Sequence, residues 1–173
     1  MKGIIGARGD FSDVNKLLDK INNFSDKHNV VIQVFNADMI YGKDHLISAV
    51  FHAKRAMKRK TNTTNTLSME ILLYASGERQ LKHAIPKMGI KEGNLSIAIV
   101  FTNDDVENKN IVEDKIIDLF LDEMSLSRDD SVLEGSMDTI KKFGIDEMLI
   151  NTISKDKYGD LILEKIAMVD IIK

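Results

Sequence analysis

The chain has no cysteine and a single proline, and glutamine occurs only at positions 33 and 80. The absence of cysteine excludes a disulfide framework, a thiolate metal site and a cysteine nucleophile together, so the core alone must hold the fold. No run approaches the roughly 18 apolar residues of a membrane-spanning helix. The opening MKGIIGARGD lacks an apolar signal core with a small-residue cleavage site. The expected compartment is the cytoplasm, with no membrane partner. Scarce glutamine and abundant Lys and Glu are compatible with a thermophilic source.

Catalytic signatures are missing too. There is no G-x-S-x-G elbow and no Walker loop. Gly3, Gly6 and Gly9 lie along a first strand, whereas the dinucleotide fingerprint follows one, so they read as strand-edge or turn residues. His45 and His52 share a helix face, but seven residues separate them by about 10 Å, where helical zinc motifs use a four-residue spacing. Asp38 beside Tyr41 reads as a turn aspartate capping its own backbone. The expectation is a non-enzyme with no metal, no cofactor and no small-molecule substrate.

What is present suits a folded protein: 43% hydrophobic and 29% charged residues in a chain of 173. That length fits one domain spanning 1–173. Strands are expected at 2–8, 30–35 and 95–101. The second, Val-Val-Ile-Gln-Val-Phe, is so nearly continuous that it should be covered on both faces. Helical spacing follows Ser12, taken as a cap, and continues at 44–58, 67–75 and 78–88, the last closing on Gly89 as a left-handed cap. Further helices are expected at 111–124, 131–143, 147–153 and 160–172. This mixture predicts an α/β (α+β) fold, a single mixed sheet covered by several helices.

Charge is unevenly placed. Residues 43–91 carry ten Lys or Arg against three acids, and residues 104–134 carry eleven acids against three bases. Both can be solvated helical faces, but in the basic span several features coincide. Lys54, Arg55, Lys58, Arg59 and Lys60 lead into Thr61-Asn62-Thr63-Thr64-Asn65, rich in groups that suit phosphate and sugar, and then into a helix N-terminus. Asn65 is the natural cap of that helix. Glu70, in its apolar interior, needs a basic partner, with Arg79 or a residue of the preceding helix as candidates. At the polar hinge that begins with Ser76-Gly77, Arg79, Gln80 and His83 are expected to face the same space as the Lys54 to Lys60 cluster. Tyr74 either stacks on a base or belongs to the core.

The run NTLSMEILLYASGERQLKHAI (65–85), followed by Met88-Gly89-Ile90 and a strand ending Ala98-Ile99-Val100-Phe101, resembles the KEOPS-complex subunit of the TPRKB (PRPK-binding protein) type in an archaeal-like form. HAKRAMKR (52–59) and YGDLILEKIAMVDI (158–171) are similar to that family's preceding helix and closing segment. Pro86 departs from the family's second helix and leaves the position of Lys87 open.

The resemblance implies a non-catalytic regulatory partner of a kinase-like ATPase. In the complex that makes threonylcarbamoyladenosine, such a subunit also recruits tRNA by its 3′ CCA end. It implies an RNA-facing group of Arg59, Lys60, Asn62, Thr63, Asn65, Arg79, Gln80 and His83. The kinase-contact surface is expected after residue 104, from Met148, Leu149 and Ile153 or from Ile111, Ile116, Leu119 and Phe120, all of which also suit an ordinary core. The rival reading is a protein-interaction scaffold that binds no RNA.

Overall fold

Apolar strands too continuous to face water must be covered on both sides, and the arrangement of the chain follows from that demand. The computed structural model describes residues 3–104 and 112–173. Strands β1 (Ile4–Arg8), β2 (Val31–Asn36), β3 (Ser96–Thr102) and β4 (Ser127–Arg128) form one sheet in the order β2-β3-β1-β4. β3 lies between β1 and β2 and is antiparallel to both, with Gly6 opposite Ala98 and Val34 opposite Ile99. The α+β class and the single helix-covered sheet are as expected from sequence; the pairings are antiparallel throughout rather than mixed. β4, two residues long, had no apolar pattern by which to be read.

The period-two alternation of β3 divides its side chains between two layers. Ile97, Ile99 and Phe101 face helices α1 (Val14–His28) and α5 (Asp114–Met124), where Phe120 meets Phe101 and Phe24 edge to face at centroid distances of 5.1 and 5.2 Å. Ala98 and Val100 face the opposite layer, built from α2 (Gly42–Arg59), α3 (Leu67–Ser76), α4 (Leu81–Met88), α6 (Met137–Phe143), α7 (Glu147–Thr152) and α8 (Tyr158–Ile172). α3 is the innermost helix of that layer, which explains why its sequence is apolar nearly all round.

Element ends differ where local polar chemistry decides them. Asp13, not Ser12, caps α1 by accepting the Lys16 amide at 3.0 Å. Thr66, not Asn65, caps α3 through the Met69 amide. The expected helix over 131–143 is a 3₁₀ turn, Asp130–Leu133, followed by α6 behind a Ser136/Thr139 capping box. Gly89 has an ordinary φ of −67° and is not a left-handed cap; a Cβ there would lie 2.6 Å from the Ile85 carbonyl oxygen. Pro86 sits in the last turn of α4, whose end is closed by the Gly89 amide donating to Ile85 at 2.8 Å. Lys2 and Ile111 lie outside the described residues.

Gly3 and Gly9 flank β1, as a turn reading requires, but Gly6 sits inside the strand. A Cβ there would approach the Asp129 carbonyl oxygen to 2.4 Å, because the backbone after β4 crosses at that point and the Asp129 amide donates to the Gly6 carbonyl at 2.9 Å. Gly6→Ala is therefore expected to cost about 1–3 kcal/mol by overpacking against backbone. An unchanged urea midpoint would remove this account.

Candidate nucleic-acid interface

α2 and α3 form an antiparallel hairpin. His45, near the start of α2, contacts the Ala75 carbonyl near the end of α3, and the connecting loop 60–66 lies at the opposite end. α2 closes on Lys60, a left-handed residue (φ 56°), with the Lys60 and Thr61 amides donating back to Met57 and Ala56. That reversal leaves Lys58, Arg59 and Lys60 exposed together.

Glu70 shapes the loop that follows. Fully buried, its carboxylate accepts the backbone amides of Thr63 (3.1 Å) and Thr64 (2.9 Å) and lies 2.8 Å from the Thr64 hydroxyl. Its other side takes the Lys173 ammonium at 3.0 Å, with that side chain only 7% exposed. The partner expected for Glu70 was Arg79 or a base of α2; the structure supplies Lys173, far off in sequence, from the end of α8. The Thr63 and Thr64 amides are thus committed inward, and the side chains of Arg59, Lys60, Thr63 and Asn65 are exposed, with Asn62 half-buried and donating to the Thr64 carbonyl at 2.8 Å.

A second polar knot ties α2 and α3 to α8. The Tyr74 hydroxyl donates to Asp170, Arg55 pairs with the same carboxylate, and His52 Nδ1 lies 3.0 Å from it. Burial alone would raise the Asp170 carboxyl, but hydrogen bonds from Tyr74, His52 and Arg55 outweigh it and hold the group below its ordinary range. Burial and the bond to Asp170 push the Tyr74 phenol well up. Tyr74 is a core residue, with the Lys173 ammonium 4.6 Å from its ring centroid. Lys54 also leaves the basic surface: it is buried and donates to Asn103.

The hinge after α3 is polar largely for its own sake. Gly77 turns left-handed (φ 68°), the Ser76 hydroxyl donates to the Leu73 carbonyl and accepts the Glu78 amide, and Lys87 donates to the Ser76 carbonyl and to Glu78. Burial lowers the Lys87 pKa against the raising effect of Glu78. Arg79 and His83 are exposed and Gln80 is half-buried at the start of α4. The ten residues of α3 separate this group from the 60–66 loop by about 15 Å. The two groups do not share one space. They mark opposite ends of one helix, a span of four to five stacked nucleotides at about 3.4 Å each.

The sequence profile of the family described as kinase binding protein CGI-121 matches residues 10–170. The chain belongs to the CGI-121 family. It is also 33% identical over 177 aligned positions to the regulatory protein Cgi121 of Methanocaldococcus jannaschii, covering 100% of this chain and 98% of that protein. The three segments that carried the resemblance to the KEOPS subunit lie largely in α2, α3 and α8, and the bonds among His52, Arg55, Tyr74 and Asp170 join them.

In this CGI-121 chain the apolar candidates for docking divide sharply. Phe120 is fully buried and Ile116 and Leu119 pack against the core, so they are structural. Met148 and Leu149 are 77% and 48% exposed, whereas Ile153 packs partly against the core. Sequence periodicity missed Phe51 and Ile171, which are 61% and 74% exposed. Among the described residues no His, Asp or Glu group could hold a metal ion, and no helix is long and apolar enough to cross a membrane.

Proposed function

We propose that the chain is a non-catalytic regulatory subunit of the KEOPS tRNA-modification assembly, acting as one domain. It binds the kinase-like ATPase subunit and recruits tRNA by its 3′ CCA end for threonylcarbamoyladenosine formation. The observation that carries the RNA half is the exposed Lys58-Arg59-Lys60 run beside a loop held in one shape by Glu70. Arg59 and Lys60 neutralise phosphate, while Asn62, Thr63 and Asn65 bond sugar or base edges. Arg79, Gln80 and His83 meet the strand at the far end of α3. Met148 and Leu149, exposed on α7, serve the kinase half with Ile153 behind them. The family's kinase-binding description supports that half.

Titration against full-length tRNA and the same tRNA lacking its 3′ CCA, at two salt concentrations, tests the RNA half. Binding of the intact tRNA alone, weaker at high salt, is the expected result. Indifference to both RNAs, with kinase binding retained, would replace this reading with the protein-only scaffold.

A further inference from the structure

We infer that the Glu70–Lys173 pair is a latch that positions the 60–66 loop for RNA. Its bonds point the Thr63 and Asn65 side chains outward while the backbone between them is held from within. The inference rests on the RNA reading above and assigns a role to two residues that touch no part of the exposed basic surface.

The geometry is specific about what the latch requires. Among the described residues every hydrogen-bonding neighbour of the Glu70 carboxylate is a donor: the amides of Thr63 and Thr64, the Thr64 hydroxyl and the Lys173 ammonium. An isosteric amide fails in this setting, because its NH₂ group must face at least one donor. A carboxylate alone is also insufficient, since at 0% exposure it needs a countercharge, and Lys173 brings one from a helix distant in sequence. The loop conformation is therefore set by α8 as well as by its own residues. Lys60, a non-glycine residue held left-handed, is the upstream end of the same clamped segment.

Charge and positioning make opposite predictions for one substitution, which separates them. Glu70→Gln raises the net charge by one unit, so electrostatics alone would tighten binding to a polyanion. If the latch positions the loop, the same variant binds more weakly. We expect Glu70→Gln to lower affinity for full-length tRNA by about tenfold, as a site loosened by a lost supporting contact does. We also expect it to speed hydrogen exchange at the Thr63 and Thr64 amides, in titrations run where circular dichroism shows each protein folded. Lys173→Met, which lowers the net charge by one unit, should move both readouts the same way. Thr64→Val, which removes one donor and leaves charge and shape in place, is the milder variant should Glu70→Gln fail to fold, and it should also weaken binding and speed exchange. Unchanged or tighter binding by folded Glu70→Gln or Thr64→Val overturns the latch. So does retained protection of the Thr63 and Thr64 amides. A wild-type chain that binds no tRNA overturns the RNA reading instead, and amide exchange then decides whether the latch holds the loop at all.

Discussion

Replacing both Arg59 and Lys60 with glutamate is expected to weaken tRNA binding by at least about tenfold at low salt and to flatten its salt dependence. Each cation that neutralises a single-strand phosphate releases condensed counterions and contributes about 0.7 to the log–log slope, so losing two contacts should reduce the slope by about 1.4. Stability should hardly move. Both side chains are exposed and neither is engaged inside the fold, which places the change within about 0.5 kcal/mol. Lys60 already has a side chain in its left-handed conformation, so glutamate adds no new backbone strain there. Docking of the kinase, expected on α7, should persist. The check is a pair of tRNA titrations at two salt concentrations beside a kinase pull-down. Equal loss of both partners would mean misfolding or one shared surface, and an unchanged slope would remove Arg59 and Lys60 from the interface.

The contrast between those two residues and their neighbours shows where sequence reading ends. Lys54, Arg55, Arg59 and Lys60 look alike as a charge run. In the fold, Lys54 is buried on Asn103 and Arg55 is committed to Asp170, while Arg59 and Lys60 lie past the point where α2 leaves the core. Helical phase places Lys54 over the interior, but its partners come from elements no local pattern connects to it. Glu70 makes the same point more strongly. Its need for a partner was legible from an acid in an apolar helix, yet Lys173 stands more than a hundred positions away, so spacing cannot name it.

The fold was more legible because its signals are local. Continuous β-branched runs implied strands covered on both faces, and the alternation of Ile97, Ile99 and Phe101 against Ala98 and Val100 fills both layers as that pattern requires. The placement of β3 between β1 and β2 was not legible, since pairing partners are set by tertiary contact. β4 was invisible for a related reason: Ser127 and Arg128 pair with β1 only because Gly6 leaves room for the chain that follows them. The hinge was only partly legible, because its polarity does not show which of its groups turn inward. Ser76, Glu78 and Lys87 close the turn on themselves, leaving Arg79, Gln80 and His83 as the groups available there.

Lowering the pH from 7 to 4 is expected to remove about 3 kcal/mol of stability through His45 alone. Both ring nitrogens are engaged in a way that only the neutral imidazole permits. Nδ1 faces the Tyr41 amide at 3.2 Å and must accept, so Nε2 carries the proton and donates to the Ala75 carbonyl at 2.7 Å. Burial pushes the pKa down to about 4 from an ordinary 6.5; the bond to Ala75 opposes this and the positive charge of Lys87 adds to it. In the unfolded chain the group binds a proton near 6.5, while in the folded chain it resists until about 4. The stabilisation is therefore complete above 6.5, declines as pH falls through that window and is gone below 4. Asp170, held low by its three partners, loses its own contribution only toward the acid end. Urea unfolding of the wild type and of His45→Gln at pH 7, 5.5 and 4 isolates the effect as the difference between the two pH slopes. Parallel slopes would mean that His45 takes up its proton over the same pH range folded as unfolded, and the account of a ring kept neutral by burial down to about pH 4 would have to be withdrawn. A shallower slope in the variant would tie the start of α2 to the end of α3 through one uncharged ring, at the opposite end of the hairpin from the loop proposed to meet RNA.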